Sequence, residues 1–194
     1  MKCYIPFFLL LCLLSLLSCS KYDDYLYEVI GLKANNANNP GEEPVAVSTD
    51  SIAARSYAIQ LEFTMVYKGE GGDHIVGGES GYSNQYSLTS FNVYCLNSFD
   101  GQHPQGTSLN EYFLVSNKGN YSSNSTISSL IGKNTLGSGY YSDGAVVNDD
   151  PWISSDEYLI LMKQPDTMGT YSFVIDIEQS NNKKMTDTVT VKLY

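Results

Sequence analysis

The stretch YAIQLEFTM, residues 57–65, decides the fold class of this chain. Large apolar side chains occupy every second position from Tyr57 to Met65, and small or polar side chains stand between them. Successive side chains of a strand point to opposite faces, whereas an amphipathic helix repeats every three to four residues. The period of two therefore predicts a β-strand with one face in a hydrophobic core.

Other segments of the chain carry the same signal. They are Phe91 to Cys95, the all-apolar run Tyr158 to Met162, Tyr171 to Ile177, and Val189 to Leu193. The all-apolar run predicts a central strand that is covered on both faces. The polar segment QSNNKKM, residues 179–185, predicts a hairpin loop between the last two strands.

One short helix is expected among these strands. Ser108 and Glu111 have the spacing of a capping box, in which the two side chains satisfy amide donors at a helix start. The chain shows neither a strand–helix–strand rhythm nor an internal repeat. Together these patterns predict an all-β fold, an antiparallel β-sandwich with one short helix.

The segment Asp166 to Phe173 resembles the tyrosine corner of immunoglobulin-like domains. In such domains a tyrosine near the start of a late strand bonds back to the upstream backbone. The resemblance assigns that part to Tyr171, and it puts Phe173 where an antibody domain has its second cysteine. It implies an immunoglobulin-like sandwich, and an ordinary turn into a strand is the alternative.

The first eighteen residues predict a signal peptide. Lys2 gives a positive start, and Phe7 to Leu17 is almost entirely leucine and phenylalanine. This apolar core is too short to span a bilayer, and a polar segment follows it at once. A buried N-terminal helix is a weaker alternative, because the segment has no amphipathic face.

The sequence LLSC, Leu16 to Cys19, resembles the lipobox of bacterial lipoproteins, from which it departs only at Leu17. The resemblance implies cleavage before Cys19 and acylation of its thiol and amine. Two or more acyl chains hold a protein on a membrane stably, so the membrane becomes a partner through the N-terminal lipid. A secreted protein with an unmodified Cys19 is the alternative.

Lys21 to Asp24 resembles the lysine-plus-acidic signal that sends lipoproteins of Bacteroidota to the outer face of the outer membrane. The segments SYAIQLEF, Ser56 to Phe63, and SLNEYF, Ser108 to Phe113, extend the similarity to small tethered lipoproteins of that phylum. These resemblances imply an outer-membrane, lipid-anchored, surface-facing protein, with a periplasm-facing anchor as the alternative. They imply no activity.

Three regions follow from these patterns. Residues 1–18 form the signal peptide, residues 19–44 a lipidated tether, and residues 45–194 the β-sandwich domain. Within the tether, Tyr27 to Leu32 is a candidate first strand. Ala34 to Glu43, with the sequence ANNANNPGEE, predicts a turn-rich spacer.

Charge and cysteine content narrow the function classes. The formal net charge of −10 argues against nucleic acid as a partner. Cys3 and Cys12 lie in the leader and Cys19 would be acylated, which leaves Cys95 without an intrachain partner. Its place in an alternating strand predicts a buried, unreactive thiol.

No motif predicts catalysis, a metal or a cofactor. The glycine-rich residues 68–85 lack the Lys-Ser or Lys-Thr ending of a phosphate-binding loop. The two histidines, His74 and His103, have no partner at zinc spacing, and both are expected in surface loops. We therefore expect a protein that is not an enzyme.

The segment from Tyr140 to Glu157 is the candidate ligand-binding loop, because it combines aromatic and acidic side chains. An exposed aromatic ring can stack on a sugar while carboxylates accept hydrogen bonds from its hydroxyl groups. The candidate residues are Trp152, Tyr140, Tyr141, Asp149 and Asp150. Trp152 as a core residue and calcium binding by Asp143 with the two later aspartates are alternatives.

These observations lead to two functional hypotheses. The first is a lipid-anchored envelope protein that recognises a ligand, with a glycan as the leading candidate. The second is a structural, adhesin-like subunit whose partner is another envelope protein. An unpaired edge strand or a flat apolar patch would favour the second.

Overall fold

The computed structural model describes residues 22–41, 43–74, 81–117, 125–134, 139–140 and 152–194. Regular structure in these segments consists of strands and three short 3-10 helices, which confirms the predicted all-β class. The strands are β1 Tyr22–Asn38, β2 Val45–Ala46, β3 Ser51–Ile52, β4 Tyr57–His74, β5 Gly81–Asn84, β6 Leu88–Cys95, β7 Phe113–Asn117, β8 Ser125–Thr126, β9 Gly139–Tyr140, β10 Trp152–Leu161, β11 Gly169–Gln179 and β12 Lys184–Leu193. The 3-10 helices are Ala54–Ser56, Asn110–Tyr112 and Ile127–Leu130.

The strands form two sheets. The larger sheet has the order β8-β7-β10-β4-β1-β5-β9, with β2 added to β1, and the smaller sheet has the order β3-β12-β11-β6. The long strands pair antiparallel, as predicted. Two short pairings, β1 with β5 and β12 with β3, are parallel, which the sequence did not indicate.

One hydrophobic cluster joins the two sheets. The inward side chains of β4, among them Ile59, Leu61 and Phe63, are fully buried in it, as the alternation at residues 57–65 predicts. Cys95 is buried in the same cluster, which confirms the predicted core thiol, and this burial raises its pKa. The all-apolar run forms a central strand as predicted, because β10 lies between β7 and β4. Its cover is less complete than predicted, since Ile160 is only partly buried and Met162 is exposed beyond the end of the strand.

The predicted spacer is wrong over its first half. The candidate first strand Tyr27 to Leu32 lies within β1, but β1 continues to Asn38 and pairs with β4 over its whole length. The small side chain of Ala37 explains the difference, because it packs in a second buried cluster with Ala58 and Tyr158. Alternating small and polar residues are hard to recognise as a strand when they lack large apolar partners.

Strand β1 also contacts the smaller sheet through its polar groups. The backbone N–H of Ala34 donates to Asp187 Oδ2 at 2.7 Å, and Asn36 Nδ2 donates to the carbonyl oxygen of Thr190 at 2.9 Å. Both acceptors belong to β12. The asparagine-rich segment therefore bridges the two sheets, and part of the predicted tether takes part in the fold.

The predicted helix is reduced to one 3-10 turn, Asn110–Tyr112, and its capping box does not form. Ser108 Oγ donates to Asn92 Oδ1 at 2.5 Å, and the Glu111 carboxylate bonds to His103 instead of the backbone upstream. The physical reason lies in the next element, since β7 begins directly after the turn and its register fixes the backbone as extended.

Two local predictions near the end of the chain are confirmed. The hydroxyl of Tyr171 donates to the carbonyl oxygen of Thr167 at 2.5 Å, which is the expected bond back to the upstream backbone. Strands β11 and β12 form a hairpin, in which Gln179 N donates to the carbonyl oxygen of Lys183 at 3.0 Å. Asn182 adopts a φ of 62° there, a conformation that asparagine tolerates better than most residues.

Candidate functional site

The candidate site lies where the loop between β6 and β7 meets the loop between β10 and β11. An aspartate folds the first of these loops. Asp100 Oδ1 accepts from the backbone N–H groups of Gln102 at 2.9 Å and His103 at 2.8 Å. This side-chain turn is a common role of aspartate, and it brings the His103 side chain back over Asp100.

A lysine and a tyrosine complete the coordination of Asp100. Asp100 Oδ2 accepts from Lys163 Nζ at 2.8 Å and from the hydroxyl of Tyr112 at 3.0 Å. Lys163 Nζ also donates to the Tyr112 hydroxyl oxygen at 2.7 Å and lies 4.4 Å from the centroid of the same ring. These contacts tie the β10–β11 loop to the start of β7 through charge-assisted hydrogen bonds.

The electrostatics of the pair follow from this geometry. The hydrogen bond from Lys163 holds the pKa of Asp100 well below its usual value. Burial raises this pKa, but the hydrogen bonds from His103, Gln102 and Tyr112 lower it further. The bond to Asp100 in turn raises the pKa of Lys163 above its usual range. Both groups are therefore charged at neutral pH.

His103 is buried in this network, so the expectation of a surface-loop histidine is wrong for this residue. Its Nδ1 lies 2.8 Å from Asp100 Oδ1 and 3.1 Å from the Tyr112 hydroxyl oxygen, and its Nε2 lies 3.1 Å from Glu111 Oε1. An imidazolium can donate to both carboxylates at once, whereas the neutral ring can donate to one only. The ring thus links the buried Asp100 to the exposed Glu111. For His74, the side chain lies outside the described part.

A pocket with a volume of about 570 Å³ opens beside the Glu111 end of this chain of hydrogen bonds. The volume falls within the range of sites that take small organic ligands. The pocket is lined by side chains that mix hydrogen-bonding and apolar surface. They are His103, Ser108, Asn110, Glu111, Phe113, Leu114, Thr126 and Ser128.

The wall of the pocket next to β6 is held by Asn110. Its Nδ2 donates to the carbonyl oxygen of Phe91 at 2.7 Å, and its Oδ1 accepts from the N–H of Val93 at 2.8 Å. The carboxamide therefore replaces a neighbouring strand at the edge of β6. Leu109 extends the cover, since its N–H donates to the carbonyl oxygen of Val93 at 2.7 Å. These bonds occupy the edge groups of β6 at Phe91 and Val93, so another chain cannot pair with the strand there.

The predicted ligand residues fall largely outside the described part of the chain. Tyr141, Asp149 and Asp150 lie outside it, and so does the proposed acylation site Cys19. The same holds for Asp143 of the calcium alternative.

Tyr140 and Trp152 are described only as backbone, so their parts in binding stay predictions. Tyr140 ends β9, and Trp152 begins β10 opposite Met65 of β4. The pocket belongs to the other end of β10, where Leu161 pairs with Phe113. The described backbone of Trp152 and the pocket therefore lie at opposite ends of β10.

Sequence reasoning missed the network because its members come from distant segments. The Asp100–Gly101 pair is a local turn signal. Lys163, by contrast, lies 63 positions after Asp100, and no local pattern pairs the two. Only the meeting of two loops at one end of the sheets creates the site.

The contacts in this site are hydrogen bonds, the ion pair of Lys163 with Asp100, and the contact of Lys163 with the Tyr112 ring. Among the described residues, no group of three or more histidine, cysteine, aspartate and glutamate side chains could hold a metal ion. Nor does this part of the chain contain a helix that is long and apolar enough to cross a membrane.

Comparison of the chain with protein-family models, with curated proteins and with solved structures found no match.

Proposed function

We propose that this protein is a lipid-anchored envelope protein that recognises a hydroxyl-rich ligand, a glycan, in the pocket beside Glu111. The observation that carries the proposal is the composition of that pocket. A carboxylate and the hydroxyl groups of Thr126 and Ser128 face a volume that also has apolar wall from Leu114. The hydroxyl groups of a sugar can form hydrogen bonds with these polar side chains, and its C–H faces can pack against the apolar wall.

An immunoglobulin-like domain is the architecture we propose for this body. In that fold, strands A, B, E and D form one sheet, and strands C, F and G form the other. The order β1-β4-β10-β7 in the larger sheet and β12-β11-β6 in the smaller sheet corresponds to A-B-E-D and G-F-C. The remaining short strands extend this frame.

Two aromatic residues support this correspondence. Tyr171 lies near the start of β11, the F position, and bonds back to Thr167 as a tyrosine corner does. Two residues later, Phe173 stacks on Tyr57 of β4, the B position, with ring centroids 5.5 Å apart. Antibody domains link strands B and F with a disulfide at this level, and here an aromatic pair takes its place.

The proposed anchor gives the pocket a defined orientation. Acylated Cys19 would lie three residues, or about 10 Å, before the start of β1. The 17 residues of β1 extend over roughly 50 Å. The far end of β1, Asn38, pairs with Tyr57 at the end of the larger sheet that carries Phe113 and the pocket. The pocket would therefore point away from the membrane.

The binding test is a glycan array probed with the full-length protein in detergent. Ser128→Trp places a large ring at the pocket and replaces no residue of the Asp100 network, and we expect it to abolish the signal of the wild type. Ser90→Trp, on the exposed side of β6, is the matched control and should bind as the wild type does. Retained binding by Ser128→Trp would remove the pocket from the proposal. Loss of binding in Trp152→Ala alone would instead favour the predicted aromatic loop.

The anchoring test is membrane fractionation of cells that express Cys19→Ser. Without the thiol no diacylglycerol can be attached, so the variant should leave the membrane fraction. Unchanged partitioning would contradict acylation. Protease accessibility of intact cells separates the surface-facing arrangement from the periplasm-facing one.

The competing hypothesis, a structural or adhesin-like subunit, finds little support at the edges formed by β6, β8 and β9. Strand addition needs an exposed edge, and the edge of β6 is covered by Asn110 and Leu109. The outermost described strands of the larger sheet, β8 and β9, have two residues each. Such short edges offer few hydrogen bonds to a partner.

A further inference from the structure

We propose that the pocket selects neutral and amine-bearing glycans against acidic ones, and that Glu111 sets this selectivity. The inference rests on the proposed function, because it names the ligand class of the same pocket. The acidic glycans are those that carry carboxylate or sulfate groups. The neutral and amine-bearing glycans carry hydroxyl, N-acetyl or free amino groups.

The first argument is the charge inventory of the lining. Among the described residues that line the pocket, Glu111 is the one carboxylate, and neither a lysine nor an arginine is present. Of these same residues only His103 can carry positive charge, and its two ring nitrogens already face Asp100 and Glu111. The described lining therefore offers an anionic ligand no cation of its own, and the Glu111 carboxylate would repel it.

Lys163, which belongs to the neighbouring Asp100 network, does not change this balance. Lys163 Nζ donates to Asp100 Oδ2 and to the Tyr112 hydroxyl, and it lies over the Tyr112 ring. Lys163 is not among the lining residues. The positive charge of Lys163 is therefore paired with the carboxylate of Asp100. At the distance of a bound ligand, the two opposite charges cancel.

Glu111 is available to a ligand, whereas Asp100 is not. Both oxygens of Asp100 are occupied by donors from the protein. The Glu111 side chain is 67% exposed, and its Oε1 bonds to His103 Nε2. Its other oxygen makes no hydrogen bond within the described part of the chain. This oxygen can accept from a sugar hydroxyl, and more strongly from a sugar ammonium group.

His103 acts as a positioning residue for this carboxylate. Its ring is fixed from behind by Asp100 Oδ1 at 2.8 Å and by the Tyr112 hydroxyl at 3.1 Å. A fixed Nε2 restrains an otherwise exposed glutamate at 3.1 Å, so less side-chain entropy is lost when a ligand binds.

The test measures binding of one oligosaccharide backbone in three forms: neutral, amine-bearing and sulfated. The proteins are the wild type, Glu111→Gln, Glu111→Lys and the control Asp50→Lys, which makes the same charge change at an exposed site away from the pocket. We expect the wild type to bind the neutral and amine-bearing forms at least about tenfold more tightly than the sulfated form. Glu111→Gln should narrow the difference, Glu111→Lys should reverse it, and Asp50→Lys should keep it.

The outcomes separate this inference from the proposed function. A wild type that binds all three forms equally, or a Glu111→Lys variant with unchanged preference, overturns the inference while the pocket remains a glycan site. A wild type that binds none of the three forms, and nothing else on a glycan array, overturns both. Thermal unfolding checks that the variants are folded. We expect folded variants because the Glu111 side chain is exposed.

Discussion

Tyr57 and Phe173 come from different sheets, and their rings stack with centroids 5.5 Å apart in the middle of the common core. Phe113 meets Phe173 edge-on, with a centroid distance of 5.8 Å. The contact holds the larger sheet on the smaller one without a covalent link. Stability of the body should therefore depend on this cluster of rings.

The first prediction concerns this cluster. Phe173→Ala should lower the free energy of unfolding by about 3–5 kcal/mol, because it leaves a cavity between the sheets. Tyr57→Phe keeps the ring and loses only the hydroxyl that donates to Asn36 Oδ1 at 3.1 Å, so it should cost about 0.5–1.5 kcal/mol. Urea unfolding monitored by circular dichroism measures both. If Phe173→Ala does not fold, Phe173→Leu gives the comparison, and equal losses in the Phe173 and Tyr57 variants would contradict the account.

The second prediction concerns the response to acid. Because the pKa of Asp100 is lower in the folded protein than its ordinary value of 3.8, the contribution of this carboxylate is present above that value. It is lost as the pH falls from about 5 through the folded pKa. The stability difference between the wild type and Asp100→Asn should thus be largest near neutrality and shrink toward pH 2.

Urea unfolding at a series of pH values checks this, with Asp50→Asn as a matched control at an exposed aspartate. A difference between the wild type and Asp100→Asn that stays constant from pH 7 to about pH 2 would show that the charge of Asp100 does not stabilise the fold.

The third prediction concerns the covered edge of β6. Asn110→Ala removes the hydrogen bonds to Phe91 and Val93, so it should cost about 1–3 kcal/mol and expose an edge strand. Size-exclusion chromatography at increasing concentration should then show more self-association than the wild type shows at the same concentration. Asn97→Ala, in the loop after β6, is the control. A variant that elutes as the wild type does and keeps its stability would mean that other groups close this edge.

The fourth prediction concerns the tyrosine corner. Tyr171→Phe loses the hydroxyl that donates to the Thr167 carbonyl, and the free energy of unfolding should fall by about 0.5–1.5 kcal/mol. Tyr194→Phe, at a side chain that is 65% exposed, should change it by much less. Equal effects of the two substitutions would leave the corner without a structural role.

The sequence predicts the strands well where one face is rich in large apolar residues. The run from Tyr57 to Met65 is an example, because its alternation follows directly from burial of one face. The prediction from the sequence fails in the second half of β1, where Ala34 to Asn38 form a strand that is held by small side chains and by hydrogen bonds of asparagine. Those bonds depend on β12, which lies some 150 positions later, so no local pattern contains them.

The candidate site is less predictable for the same reason. The spacing of Ser108 and Glu111 predicts a helix start that does not form, and it gives no indication of their place in a pocket. Their place in the pocket depends on His103 being folded back by Asp100, and that turn depends in part on Lys163 from another loop. Residue spacing therefore cannot predict the site, because the site forms only where three separate segments meet in the folded protein.

The most direct test of the central claim is an NMR titration of the isotope-labelled, detergent-purified protein with a glycan that the array identifies. The account predicts that backbone amide shifts change at the pocket, at Ser108, Glu111, Thr126 and Ser128, and that residues 140–157 stay unaffected. Shift changes confined to residues 140–157, or none at the pocket when the glycan is bound, would contradict it.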